Sequence, residues 1–308
     1  MKTEYEILWV DDQIDTVEQD IAAIEEFLEE KGVKAQIEPL QSDGTDSIHA
    51  AVKEQLKNAS LDLIVVDFLM EAEGEQNRMN GEELIHLIRD TDNVYLPVVF
   101  YSSNYDGLLQ AVAEKKLDGV YLAGRDRVTQ KLKLVIESLL RKEQTSKATR
   151  GLLMEGVSEI DANLGIMLSK IWAKLEDEKK NQLYDYFQEK VQENLKTSKG
   201  NAQQYPKLEE FSEHMATKFV SPLYQTMTRW KVLKHGLKLI EFDKGSRKIF
   251  DQLFQKSGDE DALVHLRNKY GHLSRAKLEE IHNDELCVKI RNELRRQMDN
   301  LQYLLTNI

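Results

Sequence analysis

The chain is poor in cysteine: among its 308 residues only Cys287 carries a thiol. One thiol cannot close an intrachain disulfide, so the fold must hold by packing alone, and the chain suits a reducing, cytoplasmic setting. Cys287 lies in a helical pattern and reads as a small packing residue rather than a nucleophile. Long apolar runs are missing as well. No stretch approaches the ~20 apolar residues of a membrane helix. The opening MKTEYEILWVDD has too short an apolar run for a signal peptide and leads directly into acids. These two absences predict a protein without a membrane partner. Glycine-rich phosphate loops of Walker or Rossmann spacing are lacking. His265 and His282 have no acidic or cysteine partners at zinc-ligand spacing. Neither a helix-turn-helix nor a basic run along a recognition helix is present, which argues against a conventional DNA-binding output.

Positive charge is scarce in only one part of the chain. Residues 1–145 hold 15 Lys and Arg against 30 Asp and Glu, a balance of −15. Residues 146–308 hold 27 against 24, a balance of +3, and the whole chain carries −12. Two modules with different electrostatic tasks are implied. The acidic half is a poor nucleic-acid binder, whereas the second half tolerates a polyanion.

The texture changes at the same place. Over residues 1–142, apolar runs alternate with helical periodicity. Ile7–Val10, Val33–Leu40, Leu61–Val66, Val98–Tyr101 and Gly119–Leu122 read as strands. Asp15–Lys31, Ser47–Lys57, Glu82–Arg89, Leu108–Glu114 and Lys131–Arg141 read as helices; Val17, Ile21, Ile24 and Leu28 line one face of the first. Five βα repeats predict a doubly wound, flavodoxin-like five-stranded parallel sheet, whose ligands sit at the carboxyl ends of the strands. Residues 143–150 are polar and read as a linker. Beyond them, over 151–308, the strand signal disappears. Leu153, Val157, Ile160, Leu164, Leu168, Ile171 and Leu175 form one stripe, continued by Tyr184, Phe187, Val191 and Leu195. Ser198–Pro206 reads as a loop, and the helical pattern that resumes at Leu208 is interrupted at Pro222. A last helix carries Leu286, Ile290, Leu294, Met298, Leu301 and Leu305. This half predicts an all-α bundle. Trp172 and Trp230 read as core residues, and Trp9 lies in the first strand.

Carboxylates gather at the strand ends. Asp11 and Asp12 follow the first strand and Asp67 the third, so the sheet would bring them together. Clustered carboxylates repel, and a hard divalent cation with oxygen ligands relieves that repulsion; Mg²⁺ is the usual choice near phosphates. A carboxylate bound to Mg²⁺ is poised to attack phosphorus and become an acyl phosphate. Ser102 ends the fourth strand and Tyr121 lies in the fifth. In order and context, Asp11, Asp12, Asp67, Ser102 and Tyr121 resemble the receiver domain of two-component response regulators over roughly residues 5–142. The resemblance implies Asp67 as phosphoacceptor, Mg²⁺ held by Asp11, Asp12 and Asp67, and Ser102 and Tyr121 as switch residues. It also implies a sensor histidine kinase or a small phosphodonor as partner. Two departures stand out. The family's Lys after strand five aligns with Gly124, with Arg125 next, and Arg is not equivalent to Lys. The segment from Phe68 to Asn80 is longer than the family's loop and reads as a polar, flexible lid. Leu69, two residues past Asp67, offers no side chain to position a hydrolytic water, which predicts slow dephosphorylation.

A second constellation lies in HLRNKYGHLSR. On an unbroken helix, Arg267 and His272 would point about 140° apart, whereas Asn268 and His272, four apart, share a face. Gly271 is placed to end or bend the helix and swing His272 toward Arg267. A plain helix C-terminus with a charged cap would carry the same residues. The segment resembles the R-x4-6-H signature of the HEPN superfamily, all-helical bundles many of which are metal-independent, dimeric ribonucleases. The resemblance implies Arg267, Asn268 and His272 as catalytic residues, RNA as substrate, a homodimer and no metal for this half. The other reading is a non-enzymatic signalling module that binds a partner protein.

Overall fold

The computed structural model describes residues 2–42, 46–57, 60–69, 80–90, 94–197, 208–211, 226–240, 244–253 and 262–308. The proposed lid (beyond Leu69 and Asn80 at its ends), the loop at Ser198–Pro206 and the break at Pro222 lie outside the described residues. The chain divides into two compact units, Met1–Thr145 and Ser146–Ile308.

The first unit is a five-stranded parallel sheet in the order β2-β1-β3-β4-β5. Its strands are β1 (Glu4–Asp11), β2 (Lys34–Gln41), β3 (Leu61–Asp67), β4 (Val98–Ser102) and β5 (Val120–Gly124). Helices α1 (Glu18–Glu30), α2 (Asp46–Gln55), α3 (Gly81–Asp90), α4 (Tyr105–Lys115) and α5 (Val128–Glu143) alternate with them. Successive side chains of a strand point to opposite faces, and both faces here are apolar. Tyr5, Ile7, Trp9, Leu63, Val65, Val99, Tyr101 and Ala123 pack with Val17, Ile24 and Leu28 from the α1 side and with Leu132, Ile136 and Leu140 of α5. Leu8, Val10, Ile64, Val66, Val98 and Phe100 pack with Ile48 and Val52 of α2, Leu84, Ile85 and Ile88 of α3, and Leu108 of α4. Two covered faces explain why β1 and β3 read as almost unbroken apolar runs. The chain crosses between faces at β1, where the order reverses, and in such sheets the crevice at the strand carboxyl ends is the binding place.

Two local devices fix the strand ends. Gly119 takes a left-handed turn (φ 69°) immediately before β5, a conformation glycine adopts without penalty. The buried guanidinium of Arg89 donates to the carbonyls of Val94, Leu96 (2.6 Å) and Asp118 (3.3 Å), pinning the approaches to β4 and β5.

The second unit is helical throughout its described residues: α6 (Ser146–Lys174), α7 (Asp177–Thr197), α8 (Thr226–Leu239), α9 (Lys244–Leu253), α10 (Leu263–His272), α11 (Arg275–Ile281) and α12 (Asp284–Asn307). Leu153, Val157, Ile160, Leu164, Leu168 and Ile171 form the buried stripe of α6, and Leu183, Phe187 and Val191 that of α7. The two stripes belong to separate helices, because the chain leaves helical geometry at Leu175–Glu176. Trp172 is buried against Phe211, with ring centroids 4.6 Å apart, whereas Trp230 is half-buried.

The polar segment expected as a linker over 143–150 is corrected. Glu143 still belongs to α5 and Ser146 already to α6, so only Gln144 and Thr145 lie outside helices. Thr149 is fully buried and Arg150 donates to the Leu273 carbonyl at 3.0 Å. Thr149 and Arg150 thus take part in packing within the helical unit.

Candidate phosphoacceptor site

β1 and β3 are adjacent, so Asp11, Asp12 and Asp67 emerge at the same edge of the sheet. One carboxylate oxygen from each lies within 4.8 Å of the others. They line a cleft with Gln13, Thr16, Leu69, Ser103 and Arg125. All three candidate donors are carboxylate oxygens, the chemistry a hard cation such as Mg²⁺ takes. Burial, then the charges of Asp11 and Asp12, push the Asp67 carboxyl up to about 7, against the pull of Arg125 and of the Phe68 amide. A cation among the three would restore the ionised carboxylate, so the donor set fits one.

Asp11 is buried, and its oxygens are heavily engaged. Oδ1 accepts from the Gln13 amide at 2.7 Å, and Oδ2 accepts from the Tyr101 hydroxyl and from Arg125 at 2.7 Å. Trp9 Nε1 donates in turn to the Tyr101 hydroxyl at 3.1 Å. Burial first, and then the neighbouring Asp11, raise the Tyr101 phenol well above its ordinary range, so it stays a donor. Neither Tyr101 nor Trp9 was identified from sequence as a site residue. Trp9 and Val65 stand two residues before Asp11 and Asp67 on one face of the sheet, a signal the sequence carries, whereas Tyr101 joins them only through the pairing of β4 with Asp67 of β3.

The remaining receiver residues divide. Ser102 ends β4 and is buried, with Oγ accepting from the Asn104 amide at 2.9 Å; the cleft itself is lined by its neighbour Ser103. Tyr121 is 39% exposed on β5 and does not line the cleft. Gly124 ends β5 beside Ser102, and Arg125 turns back to Asp11. Gly81 opens α3 directly against the site: a Cβ there would strike the Asp67 carbonyl oxygen and the Phe100 ring.

In the helical unit, α10 runs unbroken through His272, and the Leu273 amide still reaches the Lys269 carbonyl at 3.0 Å. The expected bend at Gly271 does not occur. Gly271 has no left-handed φ and instead admits the Met154 methyl, 3.0 Å from where a Cβ would stand. Asn268 and His272 are exposed, and Arg267 is half-buried, donating to Asn268 Oδ1 at 3.1 Å. Arg267 Nε is buried with no hydrogen-bond partner among the described residues. Beside this helix lies a buried ion pair, Arg229 to Asp161 at 2.5 Å, to which Thr226 also donates. Burial raises the Asp161 carboxyl, while Arg229, Thr226 and Arg267 all pull it down. Arg267 thus bonds Asn268 on the exposed side while its charge is also felt by the buried Asp161 carboxylate. Cys287 is fully buried in a chain of contacts from Thr149 (3.7 Å) to His282 (3.8 Å), whose other nitrogen meets Tyr270 at 2.9 Å. Burial raises its thiol, which disfavours the thiolate. His265 is exposed.

No family model matches the chain, and none of the curated proteins matches it. Among solved structures the chain is similar to full-length FixJ from B. japonicum, at 13% identity and a TM-score of 0.32, over 77% of this chain and 98% of that one. The fold assignment rests instead on the sheet order β2-β1-β3-β4-β5 with helices on both faces. No helix among the described residues is long and apolar enough to cross a membrane.

Proposed function

We propose that the α/β unit is a receiver-type phosphorylation switch with Asp67 as phosphoacceptor, controlling the helical unit. The convergence of Asp67 with Asp11 and Asp12 within 4.8 Å carries this reading. An Asp67 oxygen attacks the phosphorus of a small phosphodonor such as acetyl phosphate, or of a kinase phosphohistidine. The bond from phosphorus to the donor atom breaks, the leaving group departs with the electron pair, and a mixed anhydride remains on Asp67. Asp11, Asp12 and Asp67 would hold Mg²⁺, which supplies charge neutralisation between carboxylate and phosphoryl group. Leu69 lines the cleft without a group to orient water, so the acyl phosphate is long-lived. The test is mass spectrometry of the protein after acetyl phosphate treatment with MgCl₂. A phosphoryl adduct on the peptide containing Asp67, absent from Asp67→Asn, supports the reading; no adduct at any Mg²⁺ concentration overturns it.

For the helical unit the reading is a HEPN-like, metal-independent endoribonuclease working as a homodimer. Its support is the exposure of Asn268 and His272, four apart on α10, in a helical unit of positive balance. RNA supplies its 2′-hydroxyl as nucleophile. His272 takes the proton and returns one to the leaving oxygen, Arg267 offsets charge on the phosphorane, and a 2′,3′-cyclic phosphate results. One observation favours the second reading, a non-enzymatic partner-binding module: Arg267 is half-buried, with Nε buried and its fork tied to Asn268 rather than open to a phosphate. Incubation with RNA in EDTA separates the two. Cleavage lost in both His272→Ala and Arg267→Ala supports the nuclease. No cleavage, whether or not the protein was first treated with acetyl phosphate and MgCl₂ before EDTA was added, supports the binding module.

A further inference from the structure

Arg125 is seated in a built socket. One guanidinium nitrogen donates to Asp11 Oδ2 at 2.7 Å and to the Tyr101 hydroxyl at 3.1 Å, and another donates to Thr16 Oγ1 at 2.5 Å. The guanidinium carbon stands over the Tyr101 ring, 5.1 Å from its centroid. Four interactions from β1, β4 and the turn before α1 therefore fix one side chain, and three of them involve the Asp11–Tyr101 pair.

The seat has a consequence for cation binding. A carboxylate oxygen offers about two acceptor directions. Asp11 Oδ2 already accepts from Tyr101 and Arg125, and Oδ1 accepts from the Gln13 amide. Asp11 is left with about one direction for anything else, and its charge already faces a guanidinium. Yet Asp11 is one of the three oxygen donors that converge at the cleft. The two partners differ in their freedom to leave: the Asp11 side chain is 1% exposed, whereas that of Arg125 is 29% exposed and lines the open cleft.

We propose that Arg125 is an internal cation competing with the divalent ion for Asp11, so that the ion binds by displacing Arg125 and is held more weakly than three carboxylates alone would hold it. This rests on the cation reading of the aspartate cluster and assigns Arg125 as the residue that sets its affinity. Removing a fixed positive charge next to a divalent ion strengthens the ion's binding, and at these separations the effect is large even at a surface-like dielectric.

The test is calorimetric titration of the full chain with MnCl₂ and MgCl₂, with Mn²⁺ occupancy also read by electron paramagnetic resonance. Arg125→Gln is expected to bind Mn²⁺ about tenfold more tightly than the parent, and Arg125→Lys to stay within about threefold of it. In EDTA, Arg125→Gln is expected to melt below the parent, and saturating MgCl₂ to close that gap, because ion and guanidinium neutralise the same carboxylate. A structural arginine would leave the gap open. Tyr101→Phe removes one donor from Oδ2 without removing charge; should Arg125→Gln fail to fold, a roughly twofold or greater gain in Mn²⁺ affinity in Tyr101→Phe supports the competition, and no gain overturns it. Unchanged or weakened Mn²⁺ affinity in folded Arg125→Gln overturns it as well. If the parent binds the ion and Asp67 takes up phosphate while that affinity is unmoved, only the competition fails. If no variant binds either ion at millimolar concentration, the competition and the cation reading fail together.

Discussion

At the scale of single residues, the cluster turns on the cost of placing three carboxylates together. The Asp67 carboxyl, pushed up to about 7 by burial and by Asp11 and Asp12, has a folded value above its unfolded one. Such a group favours the folded state fully below pH ~4 and loses that contribution as pH rises through ~7. In EDTA, Asp67→Asn is therefore expected to gain stability relative to the parent as pH rises from 4 to 8, by on the order of 1–3 kcal/mol. Urea denaturation at several pH values reads this; a difference that does not grow with pH refutes it. Gly81 is a second sensitive position. Its missing Cβ lets α3 begin against the Asp67 carbonyl, so Gly81→Ala is expected to cost about 1–3 kcal/mol and to slow phosphoryl uptake. Leu69 bears on the reverse step: Leu69→Asn, able to orient water, is expected to shorten the acyl-phosphate lifetime by about tenfold, and equal decay rates would count against it. Asp11, Asp12 and Asp67 were legible in the sequence because each follows an apolar run, and strand ends converge in a doubly wound sheet. Tyr101 and the reach of Arg125 were not, because a buried hydroxyl and a long side chain's direction leave no periodic trace.

At the scale of elements, β1, β3 and β4 were legible from their lack of alternation, and the boundaries moved by only a few residues. β1 begins at Glu4 rather than Ile7, since backbone pairing with β2 continues past the apolar run. The helical unit was legible as stripes but not as charges. Asp161 lies one residue beyond Ile160 on the buried side of α6 and pairs with Arg229 of α8 at 2.5 Å, both almost wholly buried. Apolar periodicity cannot reveal such a pair, because each partner looks like an ordinary surface residue until the other is known. Burying two charges stabilises little by itself, whereas deleting one leaves the other stranded. Asp161→Ala is expected to cost about 3–5 kcal/mol, and the double change Asp161→Leu with Arg229→Met much less. Thermal unfolding of both variants checks this; equal losses would mean that packing volume, rather than charge, dominates. The same helices decide how Arg267 is read, because an unbroken α10 sets its backbone position about 140° round the helix from that of His272.

At the scale of the whole molecule, a switch requires that an event at Asp67 be felt beyond Thr145. The two units differ in charge, −15 against +3, and in architecture. Cation binding alone involves side chains of the first unit and stabilises it by mass action. Phosphorylation, under the proposed function, must in addition shift an equilibrium in the second unit. Hydrogen exchange of the intact chain separates these events. MgCl₂ is expected to slow exchange in peptides covering β1 and β3, to give no such protection to the Gly124–Val128 turn from which Arg125 is displaced, and to leave Ser146–Ile308 unmoved. Acetyl phosphate with MgCl₂ is expected to change exchange in both units, with α6 and α10 the helices to watch because α10 packs on α6. Asp67→Asn should keep a response to MgCl₂, weakened by the loss of one ligand charge, and lose the response to acetyl phosphate in both units. Protection confined to Met1–Thr145 after verified phosphorylation of Asp67 would leave the phosphoacceptor intact and remove its control over the helical unit. The nuclease and partner-binding readings would then concern a unit that acts without this switch.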